Sequence, residues 1–173
     1  MDFWQLIRSR RSIRKFDKTK TVSDEDINKI LEAAIWAPSA GNTQCGRYYV
    51  VKNPAIKEDL AIKAGHQPFI NDATAVIVVC ANIDAVGRSY GSRGRDTYAL
   101  QDTAAAIENM LLAITELGLA TCWIGAFDEG QAAKILKLED NLRPVAMLPI
   151  GYAVDKPNAP KRKTMDELVV RVG

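Results

Sequence analysis

The chain has 173 residues and a mass of 19.0 kDa, which is about the size of one domain. Its 47% hydrophobic and 25% charged residues are typical of a globular fold and argue against disorder, a fibre or a disulfide-dense mini-domain. No apolar run reaches the roughly 18–20 residues that cross a bilayer, and the N-terminus lacks the basic-then-apolar order of a signal peptide. We therefore expect a single domain over residues 1–173, located in the cytoplasm.

The apolar pattern alternates between helical and strand-like periods, which predicts mixed α and β structure. The N-terminal part is predicted to contain a short helix over 2–9, a basic extended segment Arg10–Phe16, a helix from Ser23 to Pro38 and a polar loop Ser39–Gly46. Further helices are predicted over 54–64, 98–117 and 128–138, and strands over 47–52, 74–81, 120–127 and 145–152. The segment 83–97, with its glycines and arginines, is predicted to form a loop. This order fits an α/β sandwich around a four- or five-stranded sheet.

Cysteine and histidine are too scarce for the common metal and nucleophile sites. The three cysteines, Cys45, Cys80 and Cys122, include no C-x-x-C pair, which disfavours a zinc site or a disulfide framework. The apolar runs around Cys80 and Cys122 predict core residues, whereas Cys45 lies in a polar loop and could be exposed. The one histidine, His66, stands outside any H-E-x-x-H or G-x-S-x-G pattern. If the chain is an enzyme, we therefore expect a cofactor to carry its chemistry.

The net charge of the chain is only +2, but positive charge is concentrated near both ends of the sequence. Residues 1–20 hold seven Lys or Arg against two Asp, and residues 156–173 hold five against two acidic residues. In an extended segment residues 10, 12 and 14 face one way, so Arg10 and Arg14 would flank the Ser12 hydroxyl and suit a phosphate. A solvated basic segment and a nucleic-acid patch are the alternatives, although Phe16 is the only aromatic residue interleaved with these charges.

Four segments in order along the chain resemble the flavin-dependent nitroreductase family. Arg10–Phe16 reads R-R-S-I-R-K-F, like the family's R-R-S-x-R-x-F opening. Ala37–Gln44 reads A-P-S-A-G-N-T-Q, like its A-P-S-x-x-N-x-Q segment. Gly118–Phe127 reads G-L-A-T-C-W-I-G-A-F, which is similar to G-L-x-x-x-W-x-G-x-F. Pro149–Tyr152 and the later Arg162–Glu167 resemble the P-x-G-Y and R-K-x-x-x-E ending.

The resemblance implies an α+β fold, a nitroreductase-like α/β sandwich with a central four- to five-stranded, mostly antiparallel sheet flanked by helices. It also implies an intertwined homodimer that binds FMN at its interface. The wide apolar arc of the helix predicted over 98–117 suits such an interface independently. The cofactor-binding residues that the resemblance implies are Arg10, Arg11, Ser12, Arg14, Pro38, Ser39, Ala40, Asn42, Gln44, Trp123, Ile124, Gly125, Arg162 and Lys163.

Within that set, the resemblance places Arg10 and Arg14 on the phosphate and ribityl side, with Ser12 near the pyrimidine edge. Arg162 and Lys163 would return from the C-terminal part of the chain to the same phosphate, which would explain why positive charge collects at both ends.

Two further segments of the set would complete the flavin site. Residues 38–44 would come from the partner subunit and line the isoalloxazine and the ribityl chain. Residues 123–125 would offer backbone N–H groups along the ring, where reduced flavin carries negative charge.

The activity implied by the resemblance is transfer of a hydride from NADH or NADPH to the flavin N5, followed by electron transfer to a nitroaromatic, quinone or related acceptor. The two half-reactions would follow a ping-pong mechanism, without a catalytic side chain or a metal. A non-catalytic flavin-binding, storage or sensor protein and a basic nucleic-acid-binding domain are the alternatives. The expected partners are a second copy and a small-molecule electron acceptor, with no nucleic acid and no membrane. The 83–97 segment is the candidate lid, with a solvated loop as the alternative.

Overall fold

The computed structural model describes residues 1–173, and most of its elements lie where the sequence predicts them. The α-helices are α1 (Phe3–Ser9), α2 (Asp24–Ile35), α3 (Pro54–Asp59), α4 (Ile83–Arg93), α5 (Ala99–Glu116), α6 (Glu129–Leu136) and α7 (Met165–Leu168). The strands are β1 (Gly46–Val51), β2 (Ala75–Asn82), β3 (Ala120–Thr121) and β4 (Leu142–Gly151). Short 3₁₀ turns occur at Ala40–Asn42 and Pro68–Asp72, and π-helical turns at Leu60–Ala64 and Gly94–Tyr98.

The four strands form one sheet in the order β1-β2-β4-β3, and every neighbouring pair is antiparallel. The α+β sandwich predicted from the sequence is therefore confirmed. Both faces of β2 are covered, so every residue of this strand except Asn82 is buried. On one face Ile77 packs with buried residues of α2 and α5, and on the other Val78 packs with the Leu60–Ala64 turn and α6. The sheet is the middle of three layers.

The long helix α5 is the main support on one side of the sheet. Its 18 residues bury one apolar face that includes Ile107, Met110 and Ile114, which confirms the helix predicted over 98–117. It is tied to the neighbouring α2 by a hydrogen bond from the Asn109 side chain to the Ala33 carbonyl, at 3.1 Å. Polar groups on α5 are consequently held in a fixed position relative to the sheet.

The basic segment Arg10–Phe16 lies in extended form along the end of the sheet. The N–H of Ile13 donates to the Thr121 carbonyl at 2.8 Å, and the N–H of Val154 donates to the Lys15 carbonyl at 3.1 Å. Burial of the Ile13 and Phe16 side chains anchors the segment further. The side chains alternate as expected of an extended segment: that of Ile13 is buried, and those of Ser12 and Arg14 on either side of it line one hollow.

Strand β3 is shorter than the predicted strand over 120–127. It pairs with β4 at only two residues, and the register resumes in an isolated bridge between Ile124 and Met147. Met147 and Ile124 exchange both backbone hydrogen bonds. Pro149 lies two residues further along β4, so its backbone nitrogen also points towards the neighbouring strand β3 and its extension. Proline has no N–H to donate, so the ladder is interrupted opposite Cys122. The prediction of a continuous strand was wrong for this reason.

The segment 83–97, predicted as a loop, is helical in the structure. Asn82 caps α4 by accepting the Ala85 N–H at 2.9 Å, and the helix kinks at Gly91, where φ is +59°. Gly87 and Gly94 serve close packing here, since a Cβ on Gly94 would lie 2.6 Å from the Val86 carbonyl oxygen and one on Gly87 2.8 Å from the Arg95 side chain. The sequence-based interpretation mistook packing glycines for loop glycines.

The C-terminal segment beyond Tyr152 runs over the outside of the molecule. Every residue from Ala153 to Gly173 is exposed, and no hydrogen bond or ion pair joins residues 156–173 to the rest of the chain. Thr164 and Glu167 nevertheless form a reciprocal capping box at the start of α7. We call residues 156–173 the tail. In the whole structure, none of the helices combines the length and the apolar character that a membrane span requires.

Candidate functional site

The basic segment presents a hydroxyl and a free guanidinium to one hollow. Ser12 and Arg14 line a depression of about 420 Å³ together with Lys15 and residues 155–158. Lys15 is paired with Asp155 at 2.9 Å, whereas the side chains of Arg10 and Arg14 form no hydrogen bond or ion pair. Guanidinium, ammonium and hydroxyl donors are the groups that bind a phosphate. The donor set therefore fits the phosphate of a nucleotide-type cofactor.

Arg11 differs from its neighbours because it faces the other way. It lines a separate hollow of about 210 Å³ with Ile13 and Thr115, and its Nη1 donates to the carbonyls of Arg8 and Arg10. The structure thus places Arg11 on the opposite side of the segment from Ser12 and Arg14. Arg11 is therefore not positioned to contact a cofactor bound on the Ser12–Arg14 face.

Residues 123–125 follow shortly after β3, the strand to which the basic segment is hydrogen-bonded. Two of their three backbone N–H groups are free. The N–H of Ile124 is used in the bridge to Met147 at 3.0 Å, and the Ile124 side chain is buried in the core. The expectation that Ile124 offers an N–H group was therefore wrong. Trp123 and Gly125 are exposed, and their N–H groups make no hydrogen bond within the protein. These two groups remain available to a ligand.

The Ser39–Gln44 loop, between α2 and β1, has an unusual backbone. Gly41, Asn42 and Gln44 all have positive φ, at 56°, 54° and 47°. The Ser39 hydroxyl accepts the Gln44 N–H at 3.0 Å, and the Gln44 amide donates to the Asn42 side-chain oxygen at 3.2 Å. Ala40 begins the 3₁₀ turn within the loop. The loop is thus compact, with the Asn42 and Gln44 side chains exposed and bonded to each other.

A third hollow, of about 350 Å³, opens beside this loop. Its lining includes Pro38, Ser39, Gln44, Tyr48 and Asp102, and no residue of the basic segment. Half of the lining residues are hydrophobic, which is typical of ligand pockets. In one chain, the two groups of residues that the sequence predicts to share one cofactor therefore line separate hollows.

Cys45, which the sequence left as a possible exposed thiol, is fully buried behind the loop. Burial is the main cause that raises the pKa of the Cys45 thiol from 9.0 to about 11, and the carboxylate of Asp102, 3.6 Å from the sulfur, adds to the effect. Since the thiol stays protonated at neutral pH, Cys45 is not a nucleophile.

Arg162 and Lys163 of the tail line none of the three hollows described above. Both side chains are exposed and without partners, and neither residue lines the depression around Ser12 and Arg14. Within one chain, Lys156 is the basic residue of the C-terminal end that lines this depression, and Arg162 and Lys163 do not join it.

Two residues beside the loop were missed by the sequence analysis. Asp102 accepts hydrogen bonds from three residues at or next to the loop, and the Tyr90 hydroxyl fills the space where Gly41 would carry a side chain. The signal for Asp102 was a single carboxylate in the first turn of the helix, next to the apolar face that packs on the sheet. Tyr90 belongs to the 83–97 segment that was expected to form a lid, but no local pattern indicated its contact with Gly41.

Fold and site together define a class: an antiparallel α+β sandwich with unpaired cations and free N–H groups at one end of its sheet. The nitroreductase family model matches residues 7–64 and 58–152. The chain is 34% identical over 156 residues to an Archaeoglobus fulgidus protein described as an NADH dehydrogenase/NAD(P)H nitroreductase, covering 88% of this chain and 86% of the relative. A Bacillus subtilis protein named FMN reductase (NADPH) is 26% identical over 180 residues, covering 94% of this chain and 72% of the relative.

Solved structures agree with this assignment. A nitroreductase family protein from Clostridium novyi NT superposes with a TM-score of 0.80 at 33% sequence identity, and the match covers 96% of this chain and 91% of that one. The chain belongs to the nitroreductase family, and it is an oxidoreductase of that class.

Proposed function

We propose that the chain is an FMN-dependent NAD(P)H oxidoreductase that acts as a homodimer. The observation that carries the proposal is the position of the basic segment: Arg10, Ser12 and Arg14 lie on an extended segment whose Ile13 is hydrogen-bonded to Thr121, two residues before the free N–H of Trp123. Two kinds of group thus lie along one end of the sheet: cations suited to a phosphate on the basic segment, and backbone N–H donors suited to an electron-rich ring at Trp123 and Gly125. The Bacillus subtilis FMN reductase among the relatives supports the choice of FMN.

The phosphate end of the cofactor is assigned to the unpaired cations. The guanidinium groups of Arg10 and Arg14 would bind the phosphate, and the Ser12 hydroxyl would donate to the polar edge of the flavin. Lys15 is a weaker candidate because its ammonium is already paired with Asp155. Arg162 and Lys163 of the tail would supply further positive charge.

The N–H groups of Trp123 and Gly125 are assigned to the ring end. Neither has a partner in the protein, and both would donate to atoms on which negative charge accumulates when the flavin is reduced. Fixed donors of this kind stabilise the reduced form because they need no reorientation during electron transfer. The chemistry that a bound FMN supplies is two-electron transfer in alternating half-reactions, from NADH or NADPH to a nitroaromatic, quinone or related acceptor.

A second copy is proposed because one chain leaves large apolar side chains and half of the site without a partner. Phe3 and Trp4 on α1 are 60% and 64% exposed, and Trp36 beside the loop is 80% exposed. The tail carries Val170 and Val172 in the open, at 87% and 96%. Exposed apolar surface of this extent is typical of an interface. In the dimer, residues 38–44 of one copy would complete the site begun by Arg10–Arg14 of the other.

Three free thiols without a disulfide suit a reducing compartment, and we propose a cytoplasmic location on that ground.

The experiment that tests the proposal is the reaction of the purified protein with flavin and nicotinamide nucleotide. We expect yellow protein with one FMN per subunit, a mass twice the 19.0 kDa of the chain, and bleaching by NADH or NADPH under anaerobic conditions. A quinone or nitroaromatic added afterwards should restore the flavin absorbance. Colourless protein that does not take up FMN would refute the proposal.

The same experiment separates the enzyme from a flavin store or sensor. Protein that binds FMN stoichiometrically but is bleached by neither nucleotide within minutes would favour the non-catalytic alternative. Steady-state rates with NADH and NADPH, each against a panel of acceptors, then identify the preferred donor and the acceptor class.

A further inference from the structure

The Ser39–Gln44 loop holds a backbone shape that it would not keep by itself. Asn42 and Gln44 are non-glycine residues in the left-handed region, which costs free energy at each position. Such a conformation persists only where the surrounding structure fixes it. Groups outside the loop must therefore hold it in this conformation.

Asp102 is the group that binds the loop at several points. It lies in the first turn of α5, and its Oδ1 accepts the N–H of Ala40 at 2.9 Å. Its Oδ2 accepts from the Thr43 hydroxyl at 3.5 Å and from the Cys45 thiol at 3.6 Å. An ionised carboxylate is suited to this task because it accepts several hydrogen bonds and donates none.

The contacts of Asp102 span the loop from its start to the residue after its end. Since α5 is fixed against the sheet and α2, a displacement of the loop would break these bonds together. On the other side, the Tyr90 hydroxyl of α4 occupies the place where Gly41 would carry a side chain. The loop is thus enclosed between α5 and α4.

We propose that Asp102 is the positioning residue of the Ser39–Gln44 loop: its carboxylate sets the backbone shape in which Asn42 and Gln44 are presented to the cofactor. This inference rests on the proposed function, because the loop is assigned to FMN there. The role proposed for Asp102 is exerted through its three hydrogen bonds to the loop. Removing the carboxylate is expected to loosen the loop first and to weaken flavin binding as a consequence.

The experiment combines three variants with two measurements. Asp102→Ala removes all three hydrogen bonds, whereas Asp102→Asn keeps an oxygen that can accept the Ala40 N–H. Glu108→Ala is the matched control, since Glu108 lies on the same helix, is exposed and forms no hydrogen bond or ion pair. The measurements are amide hydrogen exchange at Ala40, which needs no flavin, and the dissociation constant of FMN.

For Asp102→Ala we expect exchange at Ala40 to accelerate about tenfold or more while exchange in β2 is unchanged, and the FMN dissociation constant to rise about tenfold. Asp102→Asn should recover most of both effects, and Glu108→Ala should show neither. Recovery by the conservative variant separates positioning from a general loss of stability.

Three outcomes would overturn the inference. Unchanged exchange at Ala40 in Asp102→Ala would show that the carboxylate does not hold the loop. Acceleration spread equally through β2 would show general destabilisation instead of positioning. Faster exchange at Ala40 with unaltered FMN affinity would show that the loop shape is irrelevant to the cofactor. If the unaltered protein binds no FMN, the proposed function fails as well, while the exchange data still decide whether Asp102 anchors the loop.

Discussion

The ring of Phe16 lies directly on the backbone of Gly151. A Cβ built on Gly151 would be 2.8 Å from Cδ1 of that ring, and Phe16 is only 4% exposed, so it has little room to move. The contact joins the basic segment to the end of β4. It explains in physical terms why one sequence motif ends in Phe16 and another contains Gly151.

The first prediction follows from this contact. Gly151→Ala should lower the free energy of unfolding by about 1–3 kcal/mol, because overpacking forces a buried ring to shift. For a chain of this length, each kcal/mol corresponds to a fall in Tm of ~2–4 °C. Gly130→Ala is the control, since Gly130 is exposed in α6 and a Cβ there would meet nothing closer than 3.4 Å. Equal Tm values for Gly151→Ala and the unaltered protein would contradict the prediction.

The second prediction contrasts the two faces of the basic segment. Arg14→Ala should weaken FMN binding by about 10- to 100-fold, because hydrogen bonds to charged groups contribute ~1.5–3 kcal/mol. Arg14 is exposed, so the affinity should also fall as salt is added. Arg11→Ala should have a much smaller effect, because Arg11 faces the opposite hollow.

Isothermal titration of flavin-free protein with FMN measures this contrast directly. Lys134→Ala is a charge-matched control, since Lys134 is exposed on α6 and forms no ion pair. Equal affinities for Arg11→Ala and Arg14→Ala would mean that the phosphate is not bound on the Ser12–Arg14 face.

Much of the fold was predictable because it is encoded locally. The uninterrupted apolar run of β2 and the apolar stripe of α5 each specify their element without help from distant residues. The break in β3 was not predictable, because it depends on Pro149 facing Cys122 across the sheet. The helix over 83–93 was missed because Gly87 packs against Arg95 of the following turn and Gly94 of that turn packs against Val86, and these contacts exist only in three dimensions.

The candidate site divides in the same way. The basic segment and the loop 38–44 are contiguous in sequence, so their residue types were enough to mark them. The roles of Asp102 and Tyr90 depend on contacts with residues about 50–60 positions away, and no local pattern encodes those. The use of the Ile124 N–H likewise depends on Met147 of the neighbouring strand β4.

The third prediction concerns the buried thiols at alkaline pH. Burial raises the pKa of Cys80 from 9.0 to about 12, and burial with the nearby Asp102 raises that of Cys45 to about 11. Between pH 9 and 11 these thiols lose protons in the unfolded chain but keep them in the folded one. The unfolded state then binds fewer protons, so stability falls as pH rises through this range.

Urea unfolding at pH 8 and at pH 10.5 measures the effect. Lysines and tyrosines also titrate in this range, so the informative quantity is the difference between the unaltered protein and Cys80→Ala. The variant should lose less stability between the two pH values than the unaltered protein does. An identical loss in both would contradict the assignment of Cys80 as a protonated core thiol.

The last prediction tests the tail. Because residues 156–173 make no hydrogen bond with the rest of the chain, deletion of residues 161–173 should leave the fold of the subunit intact, with helix loss confined to α7. The deletion should weaken both the dimer and FMN binding, since it removes apolar side chains and four cations, Arg162 and Lys163 among them. Arg162→Ala combined with Lys163→Ala, in the full-length chain, should weaken FMN binding alone. Light scattering across a dilution series gives the mass, and a truncated chain that stays at twice its subunit mass like the full-length protein would exclude the tail from the interface.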